Sequence, residues 1–216
     1  MVRGRAGLTP GASLPCDFSA VVVKITPVTL PDRMPPIPAD QMTPAQRAVA
    51  DEIASGRRGA VYGPFVPALR SPELTRRLQK VGEYLRFEPH VPPRLRELAI
   101  LLVAREWTQD FEWDYHAPLA AAEGVPPEVI EAIADGRRPA AMADDEALVY
   151  DFFVELHRSR TVSDATYARA LDRLGEQGIV DLVGLIGYYA MLAMLMNVSR
   201  TPLPEGRATV MRALPR

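Results

Sequence analysis

RLRELAILLVAREWTQDFEWDYHAPLAAAEG, residues 94–124, is the stretch on which the reading of this chain turns. Pro93 suits the first position of a helix, and Leu98 to Ala104 follow as an unbroken apolar run. A helix that is apolar on every side has no solvent face, so this one is expected to be buried. A short break leads into a second helix from Asp110 to Glu123, stopped by Gly124. That helix places Glu112 and His116 four residues apart, one turn apart on one face. Glu97 lies in the opening turn of the first helix. Two carboxylates and an imidazole are the parts of a proton-transfer site.

Outward from this pair the text stays helical. Thr43, Pro44 and Gln46 have the spacing of a capping box and start a helix that ends near Ser55 and Gly56. A turn-rich segment follows, and Ser71 with Pro72 opens a helix reaching about Phe87. Pro126–Pro127 begin a short helix. Residues 144–158 carry acids at the start and His-Arg at the end, which matches the helix dipole. Ser163 caps the next helix, and Gln177 leads into a long apolar one. Seven or eight helices and no secure strand make the chain all-α. The run FSAVVVKITPV, residues 18–28, is the single place where a short strand is conceivable.

Closely spaced prolines in PDRMPPIPAD forbid helix, so residues 1–41 are read as a Pro-rich arm without a core of its own. Residues 42–200 form the helical domain and 201–216 a C-terminal tail. The 216 residues are 48% apolar, enough for one substantial core. Twenty-five basic and 27 acidic residues leave a net charge of −2, which argues against nucleic acid or an anionic membrane as partner. Cys16 is the one cysteine, so no intramolecular disulfide forms; that fits a reducing cytoplasm. The N-terminus lacks the pattern of a signal peptide. Ile179 to Val198 is long enough to span a bilayer, but Asp181, Asn197, two glycines and a Tyr pair point to a buried core or subunit-interface helix. Tyr188, Tyr189, Met191, Met194 and Met196 are read as packing residues of that helix.

Several strings together carry a resemblance: RLRELAILLVAR; the Glu112–His116 spacing; PLAAAEGVPPEVIEAI; ALVYDFFVELHRSRTVSDATYARA; and DLVGLIGYYAMLAMLMN. Over residues 42–197 they resemble the carboxymuconolactone decarboxylase family, also called the AhpD-like family. The resemblance implies an AhpD-like multi-helix bundle, assembled as a trimer or hexamer, with a site between the Glu97 helix and the Glu112–His116 helix. In the family's peroxidase-like branch a CxxC precedes the histidine; here those positions hold Gln109 and Glu112. A thiol mechanism needs a thiolate and a resolving partner. The chain therefore resembles the decarboxylase branch, which lacks the CxxC.

That resemblance implies a cofactor-free lyase, or a related acid/base enzyme, acting on a small acidic unsaturated or cyclic compound. The alternatives are an AhpD-like oxidoreductase and a non-catalytic oligomeric protein. His116 is the expected acid/base, its ordinary pKa near neutrality, with Glu112 orienting it and Glu97 in the relay. A substrate carboxylate needs an arginine, and Arg94, Arg96 and Arg105 are the local candidates. His90 and His157 are read as loop and helix-end residues. No phosphate-binding glycine loop or Schiff-base lysine is found, so no cofactor is expected, and Glu112 with His116 supplies too few ligands for a metal. A homo-oligomer is expected from the apolar last helix and from Phe111, Trp113 and Tyr115, with the arm reaching a neighbouring copy.

Overall fold

The computed structural model describes residues 30–208 and Met211. The expected strand over residues 18–28, Cys16 and the end of the C-terminal tail lie outside them. The described residues hold eight helices and no strand, an all-α multi-helix bundle. They are α1 (Pro44–Ser55), α2 (Phe65–Ala68), α3 (Pro72–Phe87), α4 (Pro93–Glu106), α5 (Asp110–Ala122), α6 (Pro127–Ala134), α7 (Asp144–Ser159) and α8 (Asp164–Ser199).

Local chemistry sets most of these ends. The Thr43 Oγ1 accepts from the Gln46 amide at 3.3 Å while Gln46 Oε1 accepts from the Thr43 amide at 2.9 Å, the reciprocal capping box. Ser163 caps α8 in the expected way, accepting from Thr166 N at 3.3 Å. Ser71 stands at the α3 N-cap but its hydroxyl makes no capping bond; instead its carbonyl accepts from Thr75 Oγ1 at 2.9 Å. α8 is broken at Gly175, whose φ of 69° and ψ of 174° lie outside helical values. That is where the sequence separates an amphipathic helix from the long apolar one. The turn-rich segment after α1 contains the four-residue α2, a helix too short to show a period in the sequence.

α4 is the central element. It packs against α5, α6, α7 and α8, and Leu98, Ile100, Leu101 and Val103 are fully buried on its several sides. Burial of side chains of this size stabilises by about 1.5–3 kcal/mol each. The apolar part of α8 meets the membrane-span criterion of length and hydropathy. In the structure it is a core helix, with Leu182, Leu185, Ile186, Leu192 and Ala193 buried against α4 and α3.

The described part of the arm lies on the chain's own body. The Arg33 amide donates to Ser199 O at 2.8 Å, and Arg70 Nη2 donates to Pro35 O at 2.7 Å. Ile37 and Met42 cover a small cluster of Val49, Ile53, Phe65 and Leu69. The arm expected to reach a neighbouring copy is residues 1–41, of which 1–29 lie outside the described part.

Candidate active site

The turn between α4 and α5 fixes the site, because it sets how the two helices face each other. Thr108 holds a φ of 45°, an unusual left-handed conformation for a residue with a Cβ. Its surroundings hold it there. Gln109 caps α5, its Oε1 accepting from Phe111 N at 2.7 Å, and its Nε2 donates to Asn197 Oδ1 at 2.9 Å. Asn197 Nδ2 in turn donates to the Trp107 carbonyl at 2.9 Å. One asparagine at the end of α8 thus clamps both sides of the turn. Gln109, at a position of the missing CxxC, is a structural cap.

With the helices so placed, His116 Nδ1 lies 2.7 Å from Glu97 Oε2, and both residues are buried. The partner of the histidine is Glu97 from the facing helix. Glu112, expected from its spacing to orient the ring, does not bond it: neither of its carboxyl oxygens has a hydrogen-bond partner. The i, i+4 spacing brought the two to one face, and α4 supplied the better-aligned carboxylate.

The electrostatics divide the three groups. Burial lowers the His116 pKa below its ordinary 6.5; the Glu97 bond opposes this, and Arg86 and Arg96 add to it. Burial pushes Glu97 up, but the His116 hydrogen bond and the nearby charges outweigh it, and its pKa lies below 4.5. The consistent state is an ionised Glu97 accepting from Nδ1–H of a neutral imidazole, whose Nε2 then carries the lone pair. Glu112 has no compensating partner, so burial alone raises its pKa well above 4.5. The result is a base and a neutral acid side by side.

A pocket opens beside them, lined by His116, Glu112, Arg58, Arg86 and Tyr189 among others. Its empty space, mouth included, is about 370 Å3, but only about 30 Å3 admits the centre of a water molecule. That is room for about two waters before side chains move. Tyr189 meets the His116 ring edge-on at 5.1 Å and fixes its orientation. At the mouth Tyr62 and Tyr115 stack at 5.7 Å, their hydroxyls 3.2 Å apart. Arg86 Nη2 donates to Tyr115 Oη at 3.0 Å. The Tyr188 hydroxyl is buried without a partner, and burial raises its pKa to about 12.

Two glycines make room for this wall. A Cβ on Gly82, in the middle of α3, would stand 2.0 Å from Tyr188 Oη and 2.7 Å from Arg58 Nη2. Gly63, at a φ of 55°, would put a Cβ 2.6 Å from the Phe111 ring. Gly thus costs α3 about 1 kcal/mol in helix propensity and lets two pocket side chains approach.

The cations at the pocket are not those expected. Arg94 is drawn away into ion pairs with Glu146 and with Asp145, the latter at 2.9 Å. Arg105 lies at the far end of α4 in a different cavity. Arg96 stands 3.6 Å from Glu97 Oε1 and acts on the dyad, but it does not line the pocket. Arg58 and Arg86 are the lining arginines, one after α1 and one at the end of α3, both upstream of the α4–α5 stretch. The aromatics of α5 are used internally as well: Trp113 is in the core, and Phe111 and Tyr115 line the pocket. Tyr188 and Tyr189, read as packing, line it too. His90 contacts buried Asp181 through its amide at 2.8 Å, and His157 stacks on Phe153; neither reaches the pocket. Among the described residues no cluster of His, Cys, Asp and Glu has the form of a metal site.

The model of the carboxymuconolactone decarboxylase family matches residues 72–150. No individual curated protein matches the chain. The matched segment spans α3 to the first half of α7 and contains Arg86, Glu97, Glu112 and His116, while Arg58, Tyr62, Tyr188 and Tyr189 lie outside it. Residues 72–150, which include the buried Glu97–His116 pair, are similar to the carboxymuconolactone decarboxylase family.

Proposed function

We propose that the chain is a cofactor-free lyase that decarboxylates a small, anionic, unsaturated cyclic compound, with His116 and Glu112 as its acid/base pair. The observation that carries this reading is the buried Glu97–His116 pair at 2.7 Å with the unpartnered Glu112 carboxyl in the same pocket, an imidazole whose pKa burial lowers and a carboxyl group whose pKa burial raises. Groups whose environments push their pKa values apart divide base and acid roles between them. Loss of CO2 leaves an electron pair that needs a sink, and a conjugated lactone carbonyl in the substrate supplies one. Arg58 and Arg86 suit the carboxylate and the developing enolate oxygen, since guanidinium offers paired donors to planar anions. In this reading Glu112 gives its proton to a carbon of the enolate, and His116 Nε2, backed by Glu97, takes a proton from water and relays it to the Glu112 carboxylate, which restores the starting state. The pocket's small interior means that Tyr62 and Tyr115, half-exposed at the mouth, swing outward to admit the ring.

The test is CO2 release from a panel of carboxylated unsaturated lactones, with wild type and His116→Ala compared at matched oligomeric state. Turnover by wild type that His116→Ala loses supports the reading; a full rate in the variant removes it.

A homo-oligomer, trimer or hexamer by family resemblance, is part of the same proposal. Val180, Val183, Met194 and Val198 leave an apolar row exposed on α8, Val180 at 68%. Light scattering that gives a monomer mass at micromolar concentration would dismiss it.

A further inference from the structure

Arg105 is the residue that neither the fold nor the His116 pocket uses. It sits eight residues after Glu97 on α4, about 12 Å farther along the axis. It is 5% exposed, and its Nε and Nη1 have no hydrogen-bond partner. A buried guanidinium with two unbonded nitrogens is costly, because no acceptor offsets its desolvation. Burial accordingly lowers its pKa. Asp110 and Asp135 act on it through their fields, and Asp135 is bonded instead to Arg137 at 3.0 Å.

Arg105 lines a cavity between the ends of α4, α6 and α7 that shares no residue with the His116 pocket. Its room for water is about 380 Å3, against about 30 Å3 at the site. Leu102, Ile133 and Phe153 give it an apolar floor, and Arg158 and Arg137 stand at its exposed rim. Glu106 is the acid on the same lining. Cations near helix C-termini are ordinary, since they answer the terminal carbonyls. That accounts for Arg158 and His157, whose Nδ1 lies 3.0 Å from the Phe153 carbonyl. Arg105, in the last turn of α4, shares that benefit, but its buried Nε and Nη1 meet no acceptor.

We propose that this cavity is a second ligand site, separate from the His116 pocket, for a small organic carboxylate. The apolar body lies on Leu102, Ile133 and Phe153, and the carboxylate completes the Arg105 guanidinium. An apolar floor with one convergent cation is the common form of such sites, and the planar fork of arginine matches a carboxylate.

Benzoate is the probe, followed through the arginine side-chain Nε–H signals of 15N-labelled full-length protein. Saturable movement of the Arg105 signal is expected, with no comparable movement for benzyl alcohol, which has the ring without the charge. Arg105→Gln, followed through the backbone amide signals of Leu102 and Phe153, is expected to weaken benzoate binding at this site at least tenfold, about 1.4 kcal/mol. Arg158→Ala, an exposed rim change that spares the core, is expected to weaken it severalfold. His116→Ala should leave the Arg105 response unchanged, which separates this cavity from the active site. An Arg105 signal that stays still at tens of millimolar benzoate overturns the proposal. So does benzyl alcohol binding as tightly as benzoate, or a response confined to residues around His116.

Discussion

Replacing Glu112 by Gln tests the most unusual group in the protein. Its carboxyl is buried with both oxygens unbonded, and burial raises its pKa well above 4.5. In the unfolded chain the same group ionises near its ordinary value. Between these two pKa values the folded state binds more protons, so stability falls as pH rises from about 4.5 toward the raised value. The loss approaches 1.4 kcal/mol per pH unit across that window, by the free energy of one pKa unit. At roughly 2–4 °C per kcal/mol for a chain of this size, that is a Tm difference of about 3–6 °C per pH unit. Glutamine keeps the shape and removes the ionisation, and subtracting the variant's curve cancels every other titrating group. Thermal or urea unfolding of both proteins at pH 5, 6, 7 and 8 reads the effect. Wild type should lose stability relative to Glu112→Gln as pH rises. Parallel curves would refute the claim that Glu112 is buried and uncompensated.

His116 titrates with the opposite consequence: a base with a depressed pKa binds fewer protons folded than unfolded. Its contribution to stability is lost as pH falls below 6.5, and Glu97→Gln, which removes the imidazole's partner, should lower kcat by about 10²–10⁴-fold with assembly intact, read by steady-state kinetics and light scattering. Gly82→Ala should destabilise by about 1–3 kcal/mol in urea despite better helix propensity, since the new methyl collides with Tyr188 Oη and Arg58. Arg86→Met should raise KM about 10–150-fold, the worth of a charge-assisted bond at 1.5–3 kcal/mol, in substrate titrations. Arg94→Ala strands buried Glu146 and should cost about 1–3 kcal/mol of stability while leaving kcat/KM unchanged.

The helices were legible because their signals are local. The prolines at 44, 72, 93 and 127, the Thr43 box and the Ser163 cap each act within one turn, and the apolar run of α4 required burial wherever it packed. Spacing singled out Glu112 and His116 as candidates, and the family resemblance added a relay role for Glu97. What spacing could not supply was the partner across helices. Glu112 shares a face with His116, yet the hydrogen bond comes from Glu97, a choice made by the Thr108 turn and the Asn197 clamp. The placement of the arginines was hidden for the same reason. Arg94 and Arg105 are near in sequence but turn to Asp145 and to a separate cavity. Arg58 and Arg86 reach the pocket from α1's end and α3, brought there by tertiary packing. The only local hint was Gly82, a glycine in the interior of an otherwise sound helix, which marks a close approach without naming what approaches.

Turnover in D2O bears most directly on the proton-transfer site. The product of a carboxylated unsaturated lactone, examined by NMR, should carry one solvent deuterium on a carbon of the enolate system that loss of CO2 leaves. Wild type should form that product and His116→Ala should not. A wild-type protein that releases no CO2 from such lactones, or a His116→Ala variant that labels product at the wild-type rate, would contradict the assignment.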